Sequence, residues 1–166
     1  GESSGHEYSR SSNPTRSLLA DAIADLEGGA GAEITASGMA AITTVVAAYA
    51  PGGSLVAIPH DCYGGTWRLF HALAAKGQFE VAYVDFGDPA ATAALWERRP
   101  SLVLLESPSN PLLRITDLAG TIDAAHAVGA MVVVDNTFLS PALQRPIGLG
   151  ADIVVHSTTK YMGGHG

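Results

Sequence analysis

The chain has 166 residues, 47% of them hydrophobic and 15% charged, which is enough to build the core of one domain. Its formal net charge is -7 and its lysines and arginines form no cluster, so a nucleic-acid partner is not expected. The single cysteine, Cys62, excludes an internal disulfide framework and fits a reducing compartment, and no apolar run approaches the ~18 residues that span a bilayer.

The N-terminal segment, residues 1–15, is polar and irregular and includes Tyr8 and Arg10. It offers few apolar side chains for a core, so we expect an arm that lies on another surface. It also carries no signal-peptide pattern, and together with the cysteine content this predicts a cytoplasmic location.

Periodic apolar residues predict two N-terminal helices. The first covers residues 16–27 with Thr15 as its N-cap, and the second opens at Ser37-Gly38-Met39 and runs to about Tyr49. Short apolar runs then alternate with helical patterns, which predicts strands at residues 54–58, 80–84, 102–105, 130–134 and 153–155 and helices at residues 67–76, 89–98 and 118–128. This alternation is typical of an α/β fold, a mostly parallel sheet covered by helices on both faces.

Ligands of such sheets collect at the carboxyl ends of the strands. Polar side chains follow the predicted strands at these ends: Glu106 and Asn110 after one strand, Asp135 after another, and residues 157–160 after the last. We therefore expect the functional site at this edge of the sheet.

The last predicted strand, residues 153–155, leads through His156 into three hydroxyl side chains and Lys160. This setting predicts a lysine that points into a pocket at the strand end. A partly buried amine is less stable as a cation, and a neutral amine is a nucleophile that forms Schiff bases with carbonyl compounds. The alternative is an ordinary lysine on a turn after an edge strand.

A phosphate site is indicated where the second helix begins, at Ser37-Gly38-Met39. Free N–H groups and the helix dipole favour an anion there, and the glycine lets it approach the backbone closely. Ser157 and Thr159 would add hydroxyl groups to the same phosphate. The alternative is a serine that only caps the helix.

Asp135 ends an apolar strand, where a carboxylate is costly unless a cation or hydrogen-bond donors meet it. A protonated ring nitrogen would be such a partner, and the alternative is a carboxylate that accepts backbone N–H groups of the following turn. Tyr63 stands in a glycine-containing loop, where its ring either lies flat over a planar ligand or packs on the core. Arg68, about one helical turn farther on, either faces the same cavity or is solvated.

Other motifs fail. The chain has no three-glycine dinucleotide fingerprint and no Walker-type sequence, and its six histidines lack metal-ligand spacing, so we expect no metal. Residues 157–160 match the S-x-x-K of penicillin-recognising serine acylases, but the Ser-Asp-Asn and Lys-Thr-Gly partners of that motif are absent.

One ligand carries every feature that these residues would recognise: a phosphate, a ring nitrogen, a flat face and an aldehyde. That ligand is pyridoxal 5′-phosphate (PLP). Lys160 would hold its aldehyde carbon as a Schiff base, and Asp135 would keep the pyridine nitrogen protonated so that the ring acts as an electron sink.

Six segments, in order and covering nearly the whole chain, resemble the Cys/Met-metabolism PLP-dependent enzymes, the cystathionine γ-synthase and γ-lyase group. They are YSRSSNPT at residues 8–15, ASGMAA at 36–41, HDCYGG at 60–65, ESPSNP at 106–111, VDNTF at 134–138 and STTKY at 157–161. The resemblance implies the large domain of the fold type I, aspartate aminotransferase-like PLP-dependent transferases.

The resemblance also implies a role for each site residue. Lys160 is the Schiff-base lysine and carries protons between substrate carbons, Asp135 pairs with the ring nitrogen, and Tyr63 stacks on the ring and helps to deprotonate the incoming amine. The remaining cofactor contacts are Gly38, Met39, Ser157 and Thr159 to the phosphate, Asn110 near the ring hydroxyl, and Tyr8 and Arg10, which cross a dimer interface to the neighbour's phosphate. The family is usually a homotetramer built from two dimers.

The predicted reaction is a γ-replacement that joins O-succinylhomoserine to L-cysteine and gives cystathionine, because residues 60–70 and 106–114 resemble the γ-synthases most. Arg68 would then bind the distal carboxylate of the succinyl group. The alternatives are a cystathionine or methionine γ-lyase, which EYSRS at residues 7–11 resembles, and an O-acetylhomoserine sulfhydrylase, which GGHG at residues 163–166 resembles. A non-catalytic fragment or assembly module is the alternative of another class.

Enzymes of this family are roughly twice as long as this chain or longer. We therefore expect residues 16–166 to be a partial PLP-binding large domain that follows the arm of residues 1–15, with the C-terminal domain absent from this chain.

Overall fold

Six helices and five strands make up the framework of the chain in a computed structural model that describes residue 5 and residues 8–164. The helices are α1 (Pro14–Glu27), α2 (Gly38–Tyr49), α3 (Gly64–Ala75), α4 (Pro89–Glu97), α5 (Leu118–Ala127) and α6 (Ser140–Leu143). The strands are β1 (Leu55–Pro59), β2 (Glu80–Val84), β3 (Leu102–Glu106), β4 (Met131–Asp135) and β5 (Ile153–Val155). Two short 3₁₀ helices cover Pro146–Leu149 and Tyr161–Gly163.

The five strands form one sheet in the order β2-β1-β3-β4-β5, and every pair is parallel. The chain moves from β1 outward to β2 and then returns to the other side of β1 with β3, so the strand order reverses between β1 and β3. Such a switch point opens a crevice at the carboxyl ends of the two strands. The predicted α/β architecture is confirmed, with each predicted strand within one residue of its observed bounds.

Both faces of the sheet are buried, as the continuous apolar runs predict. Val103 and Leu105 of β3 pack on the face that carries α4 and α5. Leu102 and Leu104 pack on the opposite face, with α2 and α3. Because side chains alternate along a strand, Glu106 continues the face of Leu104. Glu106 is in register with Asp135, so the two carboxylates stand side by side under α2 and α3.

The start of α1 differs from the prediction, because its N-cap is Asn13 and Thr15 lies inside the helix. The Asn13 side chain accepts hydrogen bonds from the N–H groups of Thr15 and Arg16, at 3.0 and 3.2 Å. Asparagine is among the best N-caps, and proline is favoured as the first helical residue, so Asn13-Pro14 outcompetes Thr15.

The start of α3 also differs, since the helix begins at Gly64 and the sequence pattern placed its start at Trp67. Gly64 and Gly65 suggested a loop, but they lie in the first turn of the helix, where Gly65 allows neighbouring side chains to pack closely. A Cβ on Gly65 would lie 2.5 Å from the Tyr63 ring and 2.9 Å from the Met39 sulfur. Any other residue at this position would force the side chain of Tyr63 or Met39 to move.

The described residues contain no helix with the length and apolar character of a membrane span.

Candidate functional site

The crevice between β1 and β3 is organised by the carboxylate of Glu106. Its Oε2 accepts the backbone N–H of Tyr63 at 2.9 Å, and its Oε1 accepts the backbone N–H of Asn110 at 2.7 Å. The side chain is only 6% exposed. Burial, with a smaller contribution from the neighbouring Asp135, raises the pKa of Glu106 to about 7 against the lowering effect of the two N–H donors. The sequence patterns assigned no role to this residue, although it ends an apolar strand just as Asp135 does.

Asp135 has one engaged oxygen and one open oxygen. Its Oδ1 accepts both the backbone N–H of Thr137, at 3.0 Å, and the Thr137 hydroxyl. The predicted alternative, a carboxylate held by its own turn, is therefore part of the structure. Its Oδ2 has no hydrogen-bond partner among residues 8–164. Burial raises the pKa of Asp135, against the lowering effect of the Thr137 hydrogen bonds and His156, so a cationic partner at Oδ2 would stabilise the ionised carboxylate.

The N-terminus of α2 lies against the segment that follows β5. A Cβ on Gly38 would stand 2.8 Å from the Cβ of Ser157, so the approach requires glycine. Ser37 caps the helix by accepting the N–H of Ala40 at 3.1 Å, as the alternative interpretation of this serine predicts. The N–H groups of Gly38 and Met39 precede the first intrahelical bond and have no acceptor within the helix.

Thr137 connects the two polar centres described above. Its hydroxyl accepts the backbone N–H of Ser157 at 2.9 Å and donates to Asp135. Contacts through Gly65, Glu106 and Thr137 thus bring most of the predicted site residues together. These residues are Gly38, Met39, Tyr63, Asn110, Asp135 and Ser157.

The other predicted site residues lie outside this set of contacts. Thr159 and Lys160 are exposed on the turn after β5, where the Lys160 N–H donates to Ser157 O at 3.2 Å. The predicted partial burial of Lys160 is wrong for this chain, because the residue lies on an exposed turn after β5, an edge strand of three residues. Arg68 is exposed on α3 and has no ion pair in the part of the chain that the structure describes.

The arm residues contact each other. Tyr8 is 57% exposed, and the guanidinium of Arg10 lies 5.0 Å from the centre of its ring. Within the described residues, no hydrogen bond joins either side chain to the site. Residues 1–4, 6 and 7 at the start of the arm, and His165 and Gly166 of the C-terminal GGHG motif, lie outside the described residues.

A buried polar network beneath the site was also missed from sequence. Glu27, at the end of α1, places its Oε1 2.6 Å from His156 Nε2 and accepts from Asn136 Nδ2 at 2.8 Å. Asn136 follows Asp135 and His156 precedes Ser157, so one carboxylate supports both loops. Glu27 Oε2 and His156 Nδ1 are buried without a partner in the described part of the chain. No local sequence signal predicts a contact between residues so far apart.

The donor set fits PLP. The open oxygen of Asp135 suits a protonated ring nitrogen. The N–H groups of Gly38 and Met39, together with the Ser157 hydroxyl, suit a phosphate. Tyr63 is 44% exposed, and its ring offers a surface on which the cofactor can stack. Within the described residues, no group of three or more His, Cys, Asp or Glu side chains is placed to hold a metal ion.

Comparison with known proteins gives one family. Residues 1–166 match the family described as Cys/Met metabolism PLP-dependent enzyme. The chain is 55% identical to cystathionine gamma-synthase of Escherichia coli (strain K12) over 164 residues, which are 99% of this chain and 42% of that protein.

Two solved structures agree with this match. Cystathionine gamma synthase from Xanthomonas oryzae pv. oryzae in complex with cystathionine has a TM-score of 0.96 at 57% identity, over 99% of this chain and 43% of that one. Cystathionine gamma-lyase from Lactobacillus plantarum complexed with L-serine has a TM-score of 0.89 at 43% identity, over 96% of this chain and 42% of that one. The chain thus spans less than half the length of these relatives.

Proposed function

The chain belongs to the Cys/Met metabolism PLP-dependent enzyme family, whose cofactor-binding fold it shares, and on this premise we propose that the protein catalyses a γ-replacement. It joins an O-acylhomoserine, O-succinylhomoserine in the first place, to L-cysteine and releases cystathionine. The observation that carries this proposal is the 55% identity to a cystathionine gamma-synthase across 99% of the chain. The γ-synthase relative that was solved in complex with cystathionine supports the same product.

In this proposal PLP, when bound, supplies an electron sink for the charge that develops at the substrate α- and β-carbons. The carboxylate of Asp135 pairs with the ring nitrogen through its open Oδ2, while Thr137 holds Oδ1 in place. The Gly38 and Met39 N–H groups, with the hydroxyls of Ser157 and Thr159, bind the phosphate. Asn110 lies near the ring hydroxyl.

Lys160 has two roles in the proposal: its Nζ holds the cofactor aldehyde and later moves protons between substrate carbons. Its exposed turn leaves the amine free to reach the site and to withdraw when a substrate amine replaces it. Tyr63 would stack on the ring and help to deprotonate the incoming amine.

Arg68 is the proposed recognition group for the substrate's distal carboxylate. It is exposed, unpaired among the described residues, and folded back towards the start of α3, where its Nη1 would lie 3.3 Å from a Cβ on Gly64. A guanidinium suits a carboxylate because it offers two parallel donors.

We also propose that the arm, residues 1–15, reaches a neighbouring subunit, where Tyr8 and Arg10 bind the phosphate of the partner's site. Residues 16–166 are then part of the PLP-binding domain of a homotetramer made of two dimers. A cytoplasmic location fits the buried thiol of Cys62, because cytosolic cysteines stay reduced.

The second candidate is γ-elimination, since a cystathionine gamma-lyase is 43% identical over 96% of the chain. A sulfhydrylase and a non-catalytic module are weaker alternatives.

Product analysis separates these functions. The full-length protein, loaded with cofactor, is given O-succinylhomoserine with cysteine in one reaction and cystathionine alone in another. We expect cystathionine in the first reaction and almost no keto acid in the second. Rapid keto-acid release from cystathionine would assign a lyase, and inactivity of a protein that retains PLP would favour the non-catalytic module. Lys160→Ala is the matched control and should abolish turnover.

A further inference from the structure

The carboxylate of Glu106 is hydrogen-bonded to the backbone of two loops. The loop after β1 carries Tyr63 and the loop after β3 carries Asn110, and these loops face each other across the crevice. Each oxygen of Glu106 holds the backbone of one loop, at 2.9 Å for Tyr63 and 2.7 Å for Asn110. We propose that Glu106 is a positioning residue whose ionised carboxylate fixes Tyr63 and Asn110 relative to each other, and whose protonation releases one of them. This inference rests on the proposed function only in assigning these two residues to the cofactor.

Protonation changes the hydrogen-bond capacity of the Glu106 carboxylate. An ionised carboxylate accepts at both oxygens, whereas a protonated one turns one oxygen into a donor. That oxygen then faces a backbone N–H, which is also a donor, so one of the two bonds is lost. Because the side chain is 6% exposed, water does not readily replace the lost acceptor.

The surroundings keep the two charge states close in free energy. Asp61 and Cys62 face Glu106 from the loop after β1, and Asp135 faces it from β4. Among the described residues no cation forms an ion pair with it. Burial, with Asp135 and Asp61, raises the pKa of Glu106 to about 7 against the lowering effect of the two N–H donors, so the carboxylate changes its charge in the range where enzymes of cell interiors work.

A purely structural role would differ in its consequences. A carboxylate that only supports the fold also titrates with both amides, but it leaves PLP affinity the same in both of its charge states. A positioning carboxylate links the Tyr63 and Asn110 amides to one titration, and it affects cofactor affinity only where it is ionised.

The first test needs no variant and no cofactor. Cofactor-free, full-length protein with ¹⁵N-labelled tyrosine and asparagine is titrated between about pH 5.5 and 8.5, and the amide proton shifts of Tyr63 and Asn110 are followed. We expect both amides to titrate with one common midpoint, at about 7. Absence of a titration, or two different midpoints, would overturn the inference.

The second test uses Glu106→Gln, whose side chain has nearly the same shape but only one acceptor atom. The amide titration should disappear, and PLP affinity should fall roughly tenfold at pH 8 but little at pH 6, as expected for the loss of one hydrogen bond to a charged group. Glu106→Asp, which keeps the charge, should retain a titration. Glu80→Gln, the same change at a side chain that is 67% exposed, is the matched control and should behave as wild type.

Equal PLP affinities of Glu106→Gln and wild type at both pH values would contradict the positioning role. Failure of wild type to take up PLP would instead contradict the proposed function, and the amide titration would still decide whether Glu106 holds the two loops together.

Discussion

At Gly38 the absence of a side chain decides how closely two parts of the site approach. A Cβ at this position would lie 2.8 Å from the Cβ of Ser157, so any other residue separates the α2 N-terminus from the loop after β5. These are the two sides of the predicted phosphate site. They can lie this close only because Gly38 has a hydrogen atom where other residues have a Cβ.

Gly38→Ala is therefore expected to destabilise the protein by about 1–3 kcal/mol, as overpacking does in tight sites, and to weaken PLP binding. Thermal unfolding and a cofactor titration measure the two effects. Gly31→Ala is the matched control, because a Cβ there meets no atom within 4 Å. Equal behaviour of the two variants would show that the close approach does not matter.

Glu106 also makes the stability of the cofactor-free protein depend on pH. The folded pKa of about 7 lies above the ordinary value of 4.5, so between these pH values the folded state retains a proton that the unfolded state has released. Unfolding free energy therefore falls as pH rises from about 4.5 to 7 and has no further Glu106 contribution above that range. Because one pKa unit corresponds to about 1.4 kcal/mol, the contribution is on the order of 3 kcal/mol.

Denaturant unfolding at pH 5 and pH 8 tests this sign. Wild type should lose stability between the two pH values, and Glu106→Gln should lose less. The raised pKa of Asp135 acts in the same direction and remains in the variant. A wild-type protein that is more stable at pH 8 would contradict the prediction.

At the scale of elements, the carboxyl group of its last residue fixes α1 to the segments that follow β4 and β5. Glu27 ends this helix and is 5% exposed, as is His156. The carboxylate joins the residues that precede Ser157 and follow Asp135, so the position of the helix and the geometry of both loops depend on each other.

Glu27→Ala should cost about 3–5 kcal/mol, because it leaves His156 Nε2 buried without its acceptor and leaves Asn136 Nδ2 with only Gln144 O. Glu27→Gln, which keeps one acceptor oxygen, should cost less. Asp25→Ala, an exposed position on the same helix, should change stability by less than about 0.5 kcal/mol. Chemical denaturation measures all three, and equal losses for Glu27→Ala and Asp25→Ala would rule out this role of the network.

Local patterns predict the elements well because each strand and helix carries its own periodicity and its own breakers. The start of α3 was missed because Gly64-Gly65 is a breaker by propensity, while here it makes room for Tyr63 and Met39. Asp135 was identifiable because a carboxylate at the end of an apolar strand needs a partner. The same reasoning applies to Glu106, but which backbone groups it binds depends on the register of β1 and β3, which no local pattern encodes.

At the scale of the whole molecule, the proposed role of the arm makes each site depend on two subunits. If Tyr8 and Arg10 serve the partner's phosphate, every site needs two chains. Arg10→Ala and Lys160→Ala would then damage opposite contributions to the same site.

Mixing these two inactive full-length variants, after dissociation and reassociation, should restore activity. Half of randomly formed dimers are hybrids with one intact site, so about a quarter of wild-type activity is expected in a symmetric dimer. If Arg10 instead serves its own subunit, no site is intact and activity stays absent. Each variant alone, treated identically, is the control.

Glu27 has a consequence for the order in which the protein folds. It precedes Asn136 and His156 by 109 and 129 residues. Its carboxylate therefore lacks these hydrogen-bond partners until β4 and β5 are in place. Closing so long a loop is slow, because entropy is lost before the contact repays it. During synthesis, the contact between Glu27 and His156 therefore cannot form before residue 156 has left the ribosome. The loops of Asp135 and Ser157 gain the support of Glu27 only after β4 and β5 have formed, so the cofactor site depends on this long-range contact.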